Sequence, residues 1–195
     1  MSRLTYDLKN TVAAFAVTVM FSLPAISQDT GLTGSGAENR LDTLYAELSQ
    51  AEPAEAARIA ADIALELSKS GSPAMDLLLR RGRAALDLGD LAAADGHFTA
   101  LTDHAPGFSE GWHLRAVTRA RMGLLGPALA DLEHALTLEP RHFTALFSLG
   151  SLLEELGQDE LASRAYMEAS KLHPHDPDIL AARDRLGHVT GGTRL

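Results

Sequence analysis

Residues 143–176 read FTALFSLGSLLEELGQDELASRAYMEASKLHPHD. Four positions in this stretch have a physical reason to be what they are. Gly157 closes a first helix, where a left-handed cap residue is needed and costs least without a Cβ. Ala162 lies where two helices approach closely, and Tyr166 follows four residues later on the same face of the second helix. Pro174 ends the pair, because it cannot continue a helix and biases its predecessor away from helical angles. Stepping back by 34 residues lands on Gly123, Ala128, Leu132 and Pro140, and a second step of 34 on Gly89, Ala94, Phe98 and Pro106. A 34-residue period with small, bulky and proline slots at fixed offsets marks a stack of helix–turn–helix units, a solenoid.

The slots extend beyond these four. The third unit also carries Leu146, Leu149, Gly150, Leu153 and Ala169; the second carries Trp112 and Ala135; the first carries Gly82 and Ala85. On these residues the chain resembles the tetratricopeptide repeats. The resemblance implies an all-α, right-handed α-solenoid with repeats at 75–108, 109–142 and 143–176. Some slots depart from the pattern. Arg81 and Arg115 stand in the Leu slot of the first helix, Ala116 replaces a Gly, and Arg119 replaces an aromatic. A guanidinium beside a helix–helix seam must either keep its head in water or find a carboxylate. Snorkelling and a buried ion pair between repeats are the two readings.

The ends of the chain carry other signals. Arg3 and Lys9 precede an apolar run from Thr11 to Leu23, and Ala25-Ile26-Ser27 supplies small residues where a signal peptidase reads. The expectation is a signal peptide at 1–27, cleaved before Gln28, and a periplasmic mature protein, with an uncleaved anchor as the alternative. Residues 28–39, with Gly31, Gly34 and Gly36, read as a flexible spacer. No Gly-Lys-Ser/Thr follows them, which argues against a phosphate loop. Residues 40–74 form a helical pair: Leu41, Leu44, Tyr45 and Leu48 on one face, then Ile59, Ile63 and Leu67 on another. This pair is expected to be a degenerate repeat capping the first repeat. Asp176-Pro177 starts a capping helix over 177–187, lined by Ile179, Ala182 and Leu186 and stopped by Gly187. The tail 188–195 is expected to fray, and it ends in Thr193-Arg194-Leu195, a pattern of the kind PDZ-type domains capture.

Charge narrows the partner. Without the leader the chain has 15 basic against 25 acidic side chains, a net of −10 with His neutral. That surface repels nucleic-acid phosphates and anionic lipid, so a protein or peptide partner is expected, with no nucleic acid and no membrane insertion after cleavage. The absence of cysteine excludes disulfides, thiol chemistry and Cys-ligated metal. No Ser or His sits in a nucleophile context, which argues against an enzyme. The eight histidines raise the question of metal. His173 and His175 lie in a loop and His97 and His104 are seven apart, none at the spacing of helical ligand pairs. The expectation is no cofactor and no metal, unless residues of different repeats converge.

In tetratricopeptide-repeat proteins the first helices of successive pairs line a concave groove that takes up partner peptides or helices. Carried over slot by slot, the resemblance implies groove positions Asp76, Leu79, Arg80, Arg83 and Asp87 in the first repeat. Glu110, His113, Val117 and Arg121 follow in the second, and Thr144, Phe147, Ser151 and Glu154 in the third. The Lys and Asn with which chaperone-binding members clamp a C-terminal carboxylate are replaced here by Leu79 and Arg83, then His113 and Val117. What the slots offer is an apolar track of Leu79, Val117 and Phe147 with Arg80, Arg83 and Arg121 as donors. The functional expectation is a non-enzymatic adaptor of the bacterial envelope; the alternative is a structural subunit that buries its groove permanently.

Overall fold

A computed structural model describes residues 35–191, with side-chain surroundings for 40–187, all within one compact unit. The expected leader, the first part of the spacer and the terminal Thr193-Arg194-Leu195 lie outside the described residues. Among the described residues there are nine α-helices and no strand: α1 (Ser35–Gln50), α2 (Pro53–Leu67), α3 (Pro73–Asp87), α4 (Leu91–His104), α5 (Ser109–Arg121), α6 (Leu125–Leu138), α7 (Phe143–Glu155), α8 (Asp159–Leu172) and α9 (Pro177–Gly191). No helix among them is long and apolar enough to cross a membrane.

The repeat slots act as their chemistry requires. Gly157 has φ +70°, Gly157 N donates to Glu154 O and Gln158 N donates to Leu153 O, the paired bonds of a Schellman cap. Ala94, Ala128 and Ala162 have no exposed surface. Asp176 caps α9 by accepting from the backbone N–H groups of Asp178 and Ile179. The pairs α3–α4, α5–α6 and α7–α8 pack internally, and each second helix packs on the first helix of the next pair, ending in α8 on α9. The apolar core runs through these seams from Leu79 and Phe98, past Ala128 and Leu132, to Tyr166, Ala182 and Leu186.

Gly150 shows why one slot must be small. A Cβ there would lie 2.5 Å from the ring of Tyr166, and one on Gly82 would likewise strike Phe98. In the second repeat the facing residue is the smaller Leu132, and the slot holds Ala116. The departure at Ala116 is therefore a matched pair of sizes.

Three expectations about the ends are corrected. α1 starts at Ser35, so the C-terminal part of the expected spacer is helical. α9 continues through Gly187 to Gly191; a mid-helix glycine costs about 1 kcal/mol relative to alanine but does not oblige a stop. The N-terminal pair does not cap the first repeat: α2 makes almost no contact with α3, and α1 packs on α8. Leu44, Tyr45, Leu48, Ile59 and Ile63 share one core with Phe143, Ala169 and Ile179. The physical reason lies in the two surfaces on offer. α3 exposes Arg80 and Arg81, whose burial would be costly, whereas the third repeat offers Leu146, Phe147 and Leu172. Gly71, at φ +78°, turns the connector. Arg141 fastens the contact from outside, pairing with Asp42 at 2.5 Å and lying 4.7 Å over the ring of Tyr45.

Candidate functional site

The first helices α3, α5 and α7 lie side by side, since α3 touches α5 and α5 touches α7. Between α5 and α7 their shared face opens into a cleft of about 200 Å³. Its floor is apolar, made by Ala116, Val117, Ala120, Leu132, Phe147 and Leu152, and its rim holds Arg121, Ser148, Ser151 and Glu155. Four of the positions expected from the sequence meet here: Val117, Arg121, Phe147 and Ser151. Phe147 also has an edge on the N-terminal pair and a ring contact of 5.5 Å with Tyr166. Arg121 keeps one guanidinium N–H on the carbonyl of Leu86.

The other expected positions have different roles. Leu79 is buried in the seam with α4, so it is core and not groove; its slot points between the helices. Asp76 accepts from the backbone N–H and the hydroxyl of Ser70, which hold its carboxyl below the ordinary range; it braces the α2–α3 connector. Arg80, Asp87 and Thr144 are exposed, outside the residues lining the cleft. Glu154 is occupied by the hydroxyl of Tyr166 and by Arg185.

Glu110, His113 and Arg83 are consumed by an internal clasp, which corrects their assignment as ligand contacts. The Glu110 carboxylate is 6% exposed and accepts from the Arg83 guanidinium, from His113 Nδ1 at 3.1 Å and from His142 Nε2 at 2.9 Å. Burial alone would push the Glu110 carboxyl up, but the hydrogen bonds from His113 and His142 overcome it and hold the group well below the usual carboxylate range. Burial pushes His142 down and keeps it neutral, its bond to Glu110 opposing. His142 Nδ1 accepts from the backbone N–H of Ala145 and so caps α7. His113 Nε2 faces Ser148 Oγ at 3.2 Å, and that hydroxyl donates to Thr144 O at 2.9 Å. Residues of all three repeats are thereby tied together. Sequence reasoning missed His142 and Ser148 because neither occupies a slot that the repeat pattern marks.

A second buried network settles the alternatives for the seam arginines. Arg115 is 7% exposed and makes a two-pronged pair with Asp131 at 2.9 and 2.7 Å, with Thr102 Oγ1 at 2.6 Å and the Trp112 ring 4.5 Å away. Arg119 joins Asp131 to Asp95 at 2.8 and 2.9 Å. Arg115 is ion-paired, but with Asp131 of its own repeat; the pair that joins two repeats is Arg119 with Asp95, and Arg81 is exposed.

Known proteins corroborate the architecture. Residues 143–176 match the family model described as tetratricopeptide repeat. Over 170 residues the chain is 32% identical to a TPR repeat-containing protein of Rhizobium etli, covering 82% of this chain and 79% of the relative. Among solved structures, the first TPR of Spaghetti (RPAP3) bound to an HSP90 peptide aligns with a TM-score of 0.58 at 19% identity, over 60% of this chain and 93% of that one. The Yersinia enterocolitica type III secretion chaperone SycD in complex with a peptide of the translocator YopD aligns with a TM-score of 0.56 at 15% identity, over 61% and 96%. The 34-residue slots, the stacked helix pairs and a relative matched along most of its length agree: this chain belongs to the tetratricopeptide-repeat family.

Proposed function

We propose that this protein is a non-enzymatic adaptor that binds an extended or helical segment of a partner protein in the cleft between α5 and α7. The observation that carries this reading is the cleft itself: an open apolar floor of Val117, Phe147 and Leu152 rimmed by Arg121, Ser151 and Glu155. Exposed apolar concavities with a few polar groups at the rim are where ligands settle. The Spaghetti and SycD structures, which share the fold, were solved with peptides, and this supports a protein ligand. Arg121, not Arg83, is the donor placed to meet it.

Phe147→Ala is expected to weaken partner binding by about 2 kcal/mol, the scale of an aromatic anchor. Isothermal titration with the partner segment measures this, and a urea melt of the same variant separates lost affinity from lost packing against Tyr166. Ser151→Trp, which fills the cleft from its rim, should abolish binding in a folded protein. Undiminished binding by both variants would remove the ligand from the cleft.

The compartment belongs to the same proposal. The leader-like residues 1–27 and the cysteine-free composition favour export to the periplasm. Sequencing the N-terminus of protein recovered from fractionated cells should begin at Gln28; recovery from the cytosol with the leader intact would contradict export.

A further inference from the structure

The geometry of Glu110, His113 and His142 points to a binding site for a divalent transition-metal ion of the zinc class, set between the second and third repeats. One nitrogen of each imidazole and one carboxylate oxygen lie within 4.8 Å of one another. Two edges of that triangle, from Glu110 Oε2 to His142 Nε2 and to His113 Nδ1, measure 2.9 and 3.1 Å. Ligands about 2.0–2.2 Å from one zinc ion stand about 3.0–3.5 Å from each other. The ion would therefore take the place of the two imidazole hydrogens that now point at Glu110 Oε2, with a small widening of those two edges and the edge between the imidazole nitrogens, within 4.8 Å here, set at about 3.0–3.5 Å.

The surroundings supply the outer partners that a metal site needs. Ligating histidines need a partner on the other ring nitrogen to fix the tautomer. His113 Nε2 has Ser148 Oγ, itself anchored on the Thr144 carbonyl. His142 Nδ1 has the Thr144 hydroxyl at 3.0 Å, which becomes an acceptor by rotating. His142 then carries its proton on Nδ1 and frees Nε2 for the ion, at the expense of the bond that Nδ1 accepts from the Ala145 N–H at the start of α7. The three side chains are 2–10% exposed, which limits competition from bulk water. Two imidazoles and one carboxylate select zinc, nickel or cobalt over magnesium or calcium. Arg83 sits on the remaining Glu110 oxygen and keeps the carboxylate monodentate, but its positive charge opposes the ion. Its side chain is 38% exposed and free to swing into solvent.

The test uses the full chain without an affinity tag, stripped with chelator and titrated with Zn²⁺ by calorimetry and with Co²⁺ by visible absorption. One ion per chain is expected, with the d–d bands of a four- or five-coordinate cobalt centre. His142→Ala and Glu110→Gln should remove saturable binding, and Ser148→Ala should weaken it by about 10–100-fold, as loss of an outer-shell partner does. His97→Ala and His175→Ala should bind as the wild type does. Arg83→Gln is the arm that separates a metal site from clasp integrity: it breaks the clasp yet should bind the ion at least as tightly. The proposal is overturned if the folded wild type takes up no ion, if binding survives His142→Ala, or if Arg83→Gln loses binding in parallel with His142→Ala.

Discussion

Asp131→Ala will lower the unfolding free energy by about 3–5 kcal/mol, the cost of removing one partner from a buried ion pair. Asp131 is 4% exposed and answers two guanidiniums at once, Arg115 through both oxygens and Arg119 through one. Deleting it leaves Arg115 walled in by Thr102 and Trp112 with no counter-charge. Arg119 keeps Asp95 and is partly exposed, so most of the loss falls on Arg115. Urea denaturation followed by circular dichroism measures the effect. A double variant with Arg115→Met, which removes the stranded charge, should recover a large part of it. A loss below about 1 kcal/mol would place this pair in the class of solvated surface bridges.

Tyr166→Ala is expected to cost a comparable amount, about 3–5 kcal/mol, by emptying the seam between α7 and α8. Its ring is 1% exposed, and its hydroxyl donates to Glu154 at 2.7 Å and meets Ser151 at 3.1 Å. The matched sizes at this seam supply a sharper version of the same prediction. In the wild-type background Gly150→Ala drives a methyl into the Tyr166 ring and destabilises by about 1–3 kcal/mol, the range for overpacking. In a Tyr166→Leu background the same change reproduces the Ala116–Leu132 combination of the second repeat. There it should be neutral or stabilising, because alanine is the better helix former. Thermal melts of the four proteins of this cycle decide it, and additive effects would mean that the two slots do not meet.

The legible parts of the fold are those in which one residue type answers one local demand. Gly157 at positive φ, Ala162 at a close approach and Asp176 ahead of Pro177 each declare their role without a partner being known. The size match of Gly150 to Tyr166 is also present in the sequence, as a correlation between slots and not as a property of either. The networks were not legible for the opposite reason. Arg115 announces a guanidinium at a seam, but nothing along the chain marks Asp131 in the next helix as its counter-ion. Glu110 and His113 occupy groove slots by register and are turned to internal use by His142, which lies at the far end of the same repeat, at the N-cap of α7. Leu79 shares its slot with Phe147, yet packing against α4 draws it into the core. The N-terminal pair gave its helical period but not its docking site, because Leu44, Leu48 and Ile63 would satisfy any apolar surface of the right shape.

Site-specific photocrosslinking shows whether a partner lies in the α5–α7 cleft. A photoreactive residue is placed at Glu155, exposed on the cleft rim, and in a separate protein at Leu161, exposed on α8. Both are irradiated in the native extract and again after purification with the captured protein. The expected result is one discrete adduct from position 155 that disappears when Phe147→Ala is added, and none from position 161. A partner captured only from position 161, with Phe147→Ala without effect, would place the binding surface on α8 and not in the cleft.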